Sequence, residues 1–587
     1  MPCARHITWL AGETEVGVRR HCTRVRCTEE VTFARLTAAA AISATVTEIG
    51  RTTGIGRCVP RKAGQCQTAV VSLRRAPRAL VPRGTGRIAP ALIAVLLLTG
   101  CSSAESAGAH RTTATPNPSV RLSPTTTGTT QPPLPVPPVT WAPCGALQCG
   151  TVAVPLNYAD PEGPVIQIAV ARHPAEVPSE RIGSLVINPG GPGGSGIDDL
   201  PNELSVLTPG LLDRFDIVSF DPRGVERSSP VTCTATGGSS STGQLIDPVP
   251  TTPAAQLALL HNDQSFASQC EEDSSTILPY VGTVDTARDL DRIRAALGDA
   301  QLTFIGHSYG TLLGATYASL FPTHVRAMVL DGAIDPALTT AHYATDQAES
   351  LESELQSFFS WCAADSACAW RPEGDPTTAL LSLIQQTRTQ ALAASGGGTA
   401  GPGELYDALL AGLESQSSWP TLADALAQAE AGNGSEVTSM TDRYEYGGSS
   451  NGAEAEQAID CLDHPVDRNP SHYPALAAAA ARSAPVFGPL LTWGLLGCAT
   501  WPALPTRTPT AASDPGAPPI LVVGTTGDPV TPYAWAASLA RELSGGVLLT
   551  WQGHSHVAYF YSACVRDAAQ AYLIAGTLPA PGATCTD

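Results

Sequence analysis

The sequence is poor in lysine and in charge of either sign. Lys62 is the single lysine among 587 residues, and charged residues make up 15% of the chain. Positive charge is concentrated at the start, because residues 1–100 carry a net charge of +10 and the remainder carries −29. A region that acidic repels phosphates, which excludes nucleic acid binding by a general electrostatic route. It favours a cationic group on a substrate, although a solvated acidic surface is the plainer interpretation.

A long hydrophobic run is also missing from the first hundred residues. Arg83 and Arg87 precede a run of about eleven residues, which is too short to cross a bilayer core of roughly 30 Å as a helix. The run ends on Leu98-Thr99-Gly100-Cys101, which resembles a bacterial lipobox. Positive charge, a short apolar stretch and small residues are the layout of a secretory signal. We therefore predict a lipoprotein signal peptide at 83–101 with Cys101 lipidated; a plain signal peptide with a coincidental cysteine is the alternative.

The segments on either side of this signal do not predict packed domains. Residues 1–82 have no sustained apolar period and are expected to be disordered or untranslated, with Val81 as an alternative start. Residues 102–138 are rich in serine, threonine and proline, so they cannot bury enough apolar surface to offset the entropy of ordering. They are predicted to be a tether. The expected location is outside the cell, either lipid-anchored to the outer face of the membrane or secreted.

Ten cysteines follow Cys101, and an even number in an exported chain favours disulfides over a metal site. The five cysteines before Cys101 have no metal-ligand spacing either. Pairing sequential neighbours is the simplest hypothesis for the connectivity. It joins Cys144 with Cys149, Cys233 with Cys270, Cys362 with Cys368, Cys461 with Cys498, and Cys564 with Cys585.

Buried strands alternate with helical periods from residue 139 onwards. Apolar runs at 165–170, 183–188, 215–220, 301–306, 325–330, 520–523 and 547–551 read as strands, and 286–297 and 311–320 read as helices. This alternation predicts an α/β fold with a mainly parallel sheet. Residues 336–515 lack this alternation of strands and helices and instead have alanine-rich, helical patterns. We therefore expect core segments at 139–335 and 516–587, with a helical cap at 336–515 inserted between them.

Ser308 is the predicted nucleophile. Gly306-His307-Ser308-Tyr309-Gly310 fits G-x-S-x-G, and it stands between a predicted strand and a predicted helix. The chemistry needs a tight turn that exposes the serine hydroxyl, and the small residues two positions away let the backbones approach. His307 is expected to pack rather than to act in catalysis.

A serine of this kind needs a base and an acid, which in the α/β-hydrolase fold follow it in the order acid, then histidine. Asp528 lies on a loop after the apolar strand that ends at Val523. His554 and His556 both lie in the loop after the next strand. We predict Asp528 as the acid and His554, directly after a glycine, as the base. His556 is the alternative, and the remaining histidine is expected to face the substrate or to support the site.

The tetrahedral oxyanion needs backbone donors. The amide of Tyr309, directly after the nucleophile, is one expected donor. The second is expected from the glycine-rich loop at 188–196, and Gly191 is the predicted donor. Glycine-rich loops also bind phosphates, but neither G-K-[ST] nor a Rossmann spacing follows this one. No cofactor and no metal is predicted.

Together these motifs resemble the exported tripeptidyl-aminopeptidase branch of the prolyl-iminopeptidase-type serine peptidases, which has the α/β-hydrolase fold. The resemblance runs over most of 139–587. It is carried by Gly190-Gly191-Pro192-Gly193, Asp221-Pro222-Arg223-Gly224, Ser308-Tyr309-Gly310-Thr311, Asp528-Pro529-Val530-Thr531-Pro532, Gly553-His554, Trp141-x-x-Cys144, Val154-Pro155-Leu156-Asn157-Tyr158, Ala458-Ile459-Asp460-Cys461 and the ending from Tyr572 to Cys585.

The resemblance implies an aminopeptidase that releases short peptides, often tripeptides, from free N-termini. It also implies that Ser308, Asp528 and His554 form the triad. Family members hold the α-ammonium group with acidic residues near the cap, for which Asp463 and Glu454 are candidates. One departure concerns Glu226, which stands where the family usually has glycine. If that position needs a positive φ, Glu226 is expected to be strained; the alternative is that the loop differs from that of the family.

Two other functions stay open at this point. An exported esterase or lipase would use the same triad, because a fold does not determine a substrate. A non-catalytic envelope lipoprotein would keep only the shell of a hydrolase, although the intact serine, acid and histidine in the expected order argue against it.

Overall fold

A computed structural model describes residues 136–233, 246–445 and 450–587, together with two short paired strands at Val18–Arg19 and Glu30–Val31. Residues 1–124 and 125–587 are separate compact units, and the second contains all the elements described below. The predicted signal at 83–101, with Cys101, lies outside the described residues, as does the tether up to residue 135. Among the residues that are described, no helix has both the length and the hydropathy needed to cross a membrane.

The main sheet in the described part of the second unit has ten strands. In chain order they are β1 (Ala142–Cys144), β2 (Leu147–Pro155), β3 (Val165–His173), β4 (Gly183–Asn188), β5 (Phe215–Phe220), β6 (Leu302–His307), β7 (Val325–Asp331), β8 (Ile520–Thr525), β9 (Gly546–Trp551) and β10 (Thr584–Cys585). Their spatial order is β10-β9-β8-β7-β6-β4-β5-β3-β2-β1.

Seven neighbouring strands of this sheet, β4 to β10, run parallel, and β1 to β3 add an antiparallel edge. Every residue of β4, β5, β6 and β8 is buried. Strands covered by helices on both faces have this continuous burial, which is why their sequences are nearly unbroken apolar runs. The predicted α/β fold with a mainly parallel sheet is confirmed.

The helices in the described part of the second unit are numbered in chain order. They are α1 (Gly196–Val206), α2 (Pro209–Arg214), α3 (Pro253–Ser274), α4 (Thr283–Leu297), α5 (Tyr309–Leu320), α6 (Thr340–Ala364), α7 (Pro376–Thr389), α8 (Pro402–Leu413), α9 (Trp419–Glu430), α10 (Ser435–Glu445), α11 (Gly452–Asp463), α12 (Tyr473–Ala480), α13 (Phe487–Gly494), α14 (Leu496–Thr500), α15 (Tyr533–Glu542) and α16 (Ala563–Ala575).

Helices cover both faces of the sheet. The apolar residues of α4, α5 and α15 share one buried cluster with the strands, and those of α1, α2 and α16 share another. The predicted periods at 286–297 and 311–320 lie within α4 and α5. Because helices cover both faces, loops can carry functional groups at the edge formed by the carboxyl ends of the parallel strands.

The chain between β7 and β8 is mainly helical and has its own core. Helices α6 to α14 fall within the 336–515 segment that the sequence predicted as a cap. Leu355, Phe358, Trp370 and Trp419 are buried together in that core, apart from the sheet. The segment is therefore an insertion between β7 and β8. Much of it packs around this separate cluster, whereas α11 and α14 pack against core residues such as Tyr309 and Leu312.

Five disulfides are present in the described residues, and all five pair sequential neighbours. They join Cys144 to Cys149, Cys233 to Cys270, Cys362 to Cys368, Cys461 to Cys498, and Cys564 to Cys585. The predicted connectivity is confirmed.

Candidate active site

Ser308 lies on a sharp turn between the last residue of β6, His307, and the first residue of α5, Tyr309. Its φ is 53° and its ψ is −122°, a conformation that non-glycine residues rarely adopt. A Cβ on Gly310 would come within 2.7 Å of the backbone oxygen of Asn188, so only glycine lets the turn approach β4 this closely. The strand, turn and helix therefore present a partly exposed serine at the carboxyl edge of the sheet.

Asp528 lies on the loop after β8 and is buried. Its Oδ1 accepts the backbone N–H groups of Val530 (2.9 Å) and Thr531 (2.8 Å), and its Oδ2 accepts the Thr531 hydroxyl at 2.9 Å. Its two oxygens also lie 3.0 and 3.1 Å from Nδ1 of His556. The carboxylate is thus held from one side by its own loop and faces an imidazole on the other.

The structure pairs Asp528 with His556 and not with His554, so the prediction of His554 as the partner of the acid is wrong. Nδ1 of His554 instead lies 3.1 Å from Oε2 of Glu354, a buried residue of α6 in the cap. The His554 side chain is 43% exposed, whereas that of His556 is 14% exposed. Both histidines follow β9 at similar distances along the chain, and the cap carboxylate that holds His554 is two hundred residues away.

The imidazole of His556 lies at the same strand end as Ser308. A Cβ on Gly332 would be 3.3 Å from Cε1 of His556, and the residue before that glycine, Asp331, accepts the Ser308 N–H through its backbone oxygen at 2.9 Å. Burial alone would lower the pKa of His556, but the carboxylates of Asp528 and Glu414 raise it, and the net shift is upward. This environment stabilises a protonated imidazole beside the serine.

The glycine-rich loop after β4 contacts the serine turn. A Cβ on Gly190 would be 2.9 Å from Cβ of Ser308 and 3.5 Å from the backbone nitrogen of Tyr309. Gly190 and Gly191 both have positive φ, at 110° and 103°, which glycine adopts without strain. The predicted oxyanion donors, Tyr309 and Gly191, thus belong to two backbone segments in direct contact, and their amides stay predicted donors.

Three carboxylates follow one another at helical spacing on α11: Glu456, Asp460 and Asp463. Asp463 accepts the backbone N–H of Thr283 at 3.1 Å and also its hydroxyl, and that hydroxyl lies 2.7 Å from the phenolic oxygen of Tyr309. At the other end, a Cβ on Gly193 would come within 2.8 Å of the Glu456 backbone nitrogen. The acidic helix therefore contacts the glycine-rich loop directly and is linked to the residue after Ser308 through Thr283.

The acidic groups on α11 have raised pKa values. Burial raises the pKa of Asp463 to about 6, although its hydrogen bond with Thr283 and the charge of Arg507 lower it. Burial, followed by the charges of Glu456 and Asp463, raises the pKa of Asp460 well above its usual range. Surrounding protein also raises the pKa of the Glu456 carboxyl, although this side chain keeps an exposed surface. Carboxylates crowded in this way favour a cation among them.

Of the two acids that the sequence offered for an ammonium group, the structure puts only Asp463 in this cluster. Glu454 lines a surface recess together with Glu226 and Asn451. Glu226 has a φ of 39°, so this position has the positive φ on which the expected strain depended. The side-chain oxygen of Asn451 accepts the Glu226 N–H at 3.0 Å, which holds that backbone in place. Glu456 was missed, although its i, i+4 spacing to Asp460 was visible in the sequence.

His307, directly before the serine, is a buried packing residue, as expected. Its ring centroid lies 5.6 Å from that of Tyr559 and 5.1 Å from that of Phe560. Its Nε2 is 3.5 Å from a carboxylate oxygen of Glu203 on α1. Because the ring is enclosed on these sides, it supports the turn from below the sheet edge.

Two family models match this chain. Residues 183–373 match the model described as α/β hydrolase fold, and residues 484–585 match the model described as TAP-like protein. The first match contains the glycine-rich loop and Ser308, and the second contains Asp528 and both histidines of the loop after β9.

The chain is 35% identical over 492 residues to the serine protease Hip1 of Mycobacterium tuberculosis, covering 76% of this chain and 91% of that protein. It is 32% identical over 467 residues to the tripeptidyl aminopeptidase of Streptomyces lividans, covering 76% and 86%. It is also 32% identical over 462 residues to a protein of Mycobacterium tuberculosis named carboxylesterase B, covering 75% and 86%. Two of these relatives are peptidases by name, and the third is an esterase by name.

Proposed function

The chain belongs to the TAP-like family of serine peptidases with the α/β-hydrolase fold, and on that premise we propose that it releases short peptides, of tripeptide length, from free N-termini. The single observation that carries the proposal is the contact of the buried Asp528 with His556 at the strand end where Ser308 stands. A nucleophile, an acid and a base in this chain order are the arrangement that acyl transfer uses on this fold.

In the proposed reaction Nδ1–H of His556 donates to Asp528, so that Nε2 is free to accept the Ser308 hydroxyl proton. The serine oxygen then attacks the scissile carbonyl, and the resulting oxyanion is bound by the amides of Tyr309 and Gly191. The protonated His556 gives its proton to the leaving amine. Water, activated by the same imidazole, hydrolyses the acyl-enzyme and frees the short peptide and Ser308.

We propose that Glu456 and Asp460 bind the α-ammonium group of the substrate, with Asp463 behind them. Support comes from the contact of α11 with the glycine-rich loop and from the link of Asp463 through Thr283 to Tyr309. The exposed surface of Glu456 gives a ligand access, and burial raises the pKa values of Glu456 and Asp460, a shift that a positive charge beside them would oppose. A free N-terminus would supply that charge. The tripeptide length rests on the name of the Streptomyces relative.

Export is part of the same proposal. Five disulfides favour an oxidising compartment, and the arginine-led apolar run that ends at Cys101 has the layout of a secretory signal. Lipidation of Cys101 would add a membrane anchor. Detergent-phase partitioning of the wild type and of Cys101→Ser, expressed in an actinobacterial host, tests the anchor. Equal partitioning of the two proteins would exclude it.

An esterase is the second candidate, because one relative is named carboxylesterase B and the same groups serve ester hydrolysis. The two functions predict different substrate preferences. A peptidase cleaves fluorogenic tripeptide amides, whereas an esterase turns over p-nitrophenyl esters and leaves the amides intact.

The deciding experiment compares N-terminally free and acetylated peptides of two to five residues with wild-type protein and Ser308→Ala. We expect cleavage of free peptides, loss of cleavage on acetylation, and a residual rate in Ser308→Ala lower by roughly 10⁴-fold or more. Cleavage of acetylated peptides at the same rate would contradict an aminopeptidase. Cleavage that survives Ser308→Ala would contradict the assigned nucleophile.

A further inference from the structure

Asp331 is the last residue of β7, and its backbone holds the serine turn. Its carbonyl oxygen accepts the N–H of Ser308 at 2.9 Å. Asp331 is 0% exposed and pairs in register with His307 on one side and Val523 on the other. It therefore stands in the middle of the sheet, one strand from the nucleophile and one strand from the loop that carries Asp528.

The carboxylate of the same residue holds the chain just after His556. Oδ1 accepts the N–H of Ala558 at 3.2 Å, and Oδ2 accepts the N–H of Tyr559 at 2.7 Å. Between the histidine and these two amides lies Val557, with a φ of 62°. A β-branched residue in the left-handed region is strained, and it persists only where surrounding contacts hold it. The two hydrogen bonds to Asp331 are such contacts.

Asp331 does not compete with Asp528 for the imidazole. Nδ1 of His556 contacts Asp528, whereas the Asp331 oxygens contact backbone amides. Burial raises the pKa of Asp331, while the charge of His307 and the two amides lower it. A buried carboxylate is costly unless its hydrogen bonds are made, and here the two amides of the histidine loop make them.

We infer that Asp331 is a positioning residue that joins the nucleophile turn and the histidine loop and sets the distance between Ser308 and His556. One residue contacts both segments, its backbone oxygen on the serine side and its carboxylate on the histidine side. The inference rests on the proposed roles of Ser308 and His556.

The test is Asp331→Asn, which nearly keeps the size of the side chain but replaces one acceptor oxygen with an NH₂ group. That group faces a backbone N–H, so one of the two hydrogen bonds is lost. We expect kcat to fall roughly 10- to 100-fold, because small displacements of reacting groups have effects of that order. We expect KM for free tripeptide amides to stay within about twofold, since the acidic face of α11 is untouched.

Val329→Ala is the matched control, because Val329 is a fully buried apolar residue of the same strand whose side chain has no hydrogen-bonding group with which to join the two segments. It should lower the unfolding temperature and leave kcat unchanged at a temperature where the protein is folded. Fluorophosphonate labelling of Ser308, measured per folded molecule, should slow in Asp331→Asn and not in the control. Equal kcat and equal labelling in wild type and Asp331→Asn would overturn the inference, even if Asp331→Asn unfolds at a lower temperature.

Ser308→Ala separates this inference from the proposed function. If Ser308→Ala keeps its activity, the proposed function is wrong. If Ser308→Ala is inactive while Asp331→Asn keeps the wild-type kcat, the proposed function stands and only the positioning role of Asp331 is wrong.

Discussion

The loop that carries His554 and His556 is held from the core on one side and from the cap on the other, and the two sides hold it differently. On the core side, buried carboxylates contact the His556 ring and the amides that follow it, through Asp528 and Asp331. On the cap side, the backbone oxygen of Glu414 accepts the backbone N–H of His556 at 2.7 Å. The backbone N–H of Gln416 donates to the backbone oxygen of His554 at 2.8 Å.

The cap also contacts the acid loop. The hydroxyl of Ser350 on α6 donates to the backbone oxygen of Asp528 at 2.6 Å, and the side-chain amide of Gln347 donates to the backbone oxygen of Val530 at 2.8 Å. One turn further along the same helix, Glu354 holds His554. The cap thus supports both loops mainly through their backbones, while the core contacts the reacting imidazole. We conclude that the core supplies the proposed reacting groups, and that the cap supports their geometry and, through the charge of Glu414, also raises the pKa of His556.

The largest expected effect is a difference in kcat between variants of Asp528 and Glu354, the two carboxylates that contact the two histidines. Asp528→Asn should lower kcat by roughly 10⁴-fold, because an amide no longer favours the correct tautomer or stabilises the imidazolium. Glu354→Gln, the matched change on the cap side, should lower kcat by less than about tenfold, since it loosens a contact outside the proton relay. Steady-state kinetics on a free tripeptide amide measures both. Similar losses of kcat in the two variants would contradict the different roles assigned to the core and the cap.

A smaller effect is expected from Asp460→Asn, which tests what the cap contributes to binding. Loss of one charge from the proposed ammonium-binding carboxylates should raise KM for free peptides by roughly 10- to 100-fold, the order of a buried charge-assisted contact. Glu454→Gln is the control, because it lies on the same helix but lines the recess with Glu226. An unchanged KM in Asp460→Asn, or an equal rise in both variants, would exclude Asp460 from the binding site.

The same variant has a pH-dependent effect on stability. The pKa of Asp460 is raised in the folded protein, so between the unfolded and the folded pKa the folded state binds more protons than the unfolded state. The stability of the wild type therefore falls as the pH rises through that window. Asp460→Asn should unfold about 1–3 °C above the wild type at pH 8, and the difference should vanish near pH 4. A variant that is less stable at pH 8 would contradict the sign of this shift.

Features close together in the chain were predictable from the sequence. Ser308 and Asp528 each follow an apolar strand within a few residues, and the fold places such positions at one edge of the sheet. The five disulfides join neighbouring cysteines, so proximity along the chain was enough.

Features decided by contacts between distant segments were not predictable. His554 and His556 are equivalent by spacing, and what distinguishes them is that the ring of His556 contacts Asp528 whereas the ring of His554 contacts Glu354 in the cap. The helical spacing of the carboxylates on α11 was visible in the sequence, but their link to Tyr309 was not, because it passes through Thr283 on another helix. In physical terms, strand order fixes where loops meet, whereas side-chain partners depend on packing between layers.

The most direct measurement of the central claim is the single-turnover acylation rate with a free tripeptide amide in His556→Gln and His554→Gln. The account predicts that His556→Gln loses roughly 10⁴-fold or more, because the base is removed, while His554→Gln stays within about tenfold of the wild type. A large loss in His554→Gln together with a near wild-type rate in His556→Gln would contradict it.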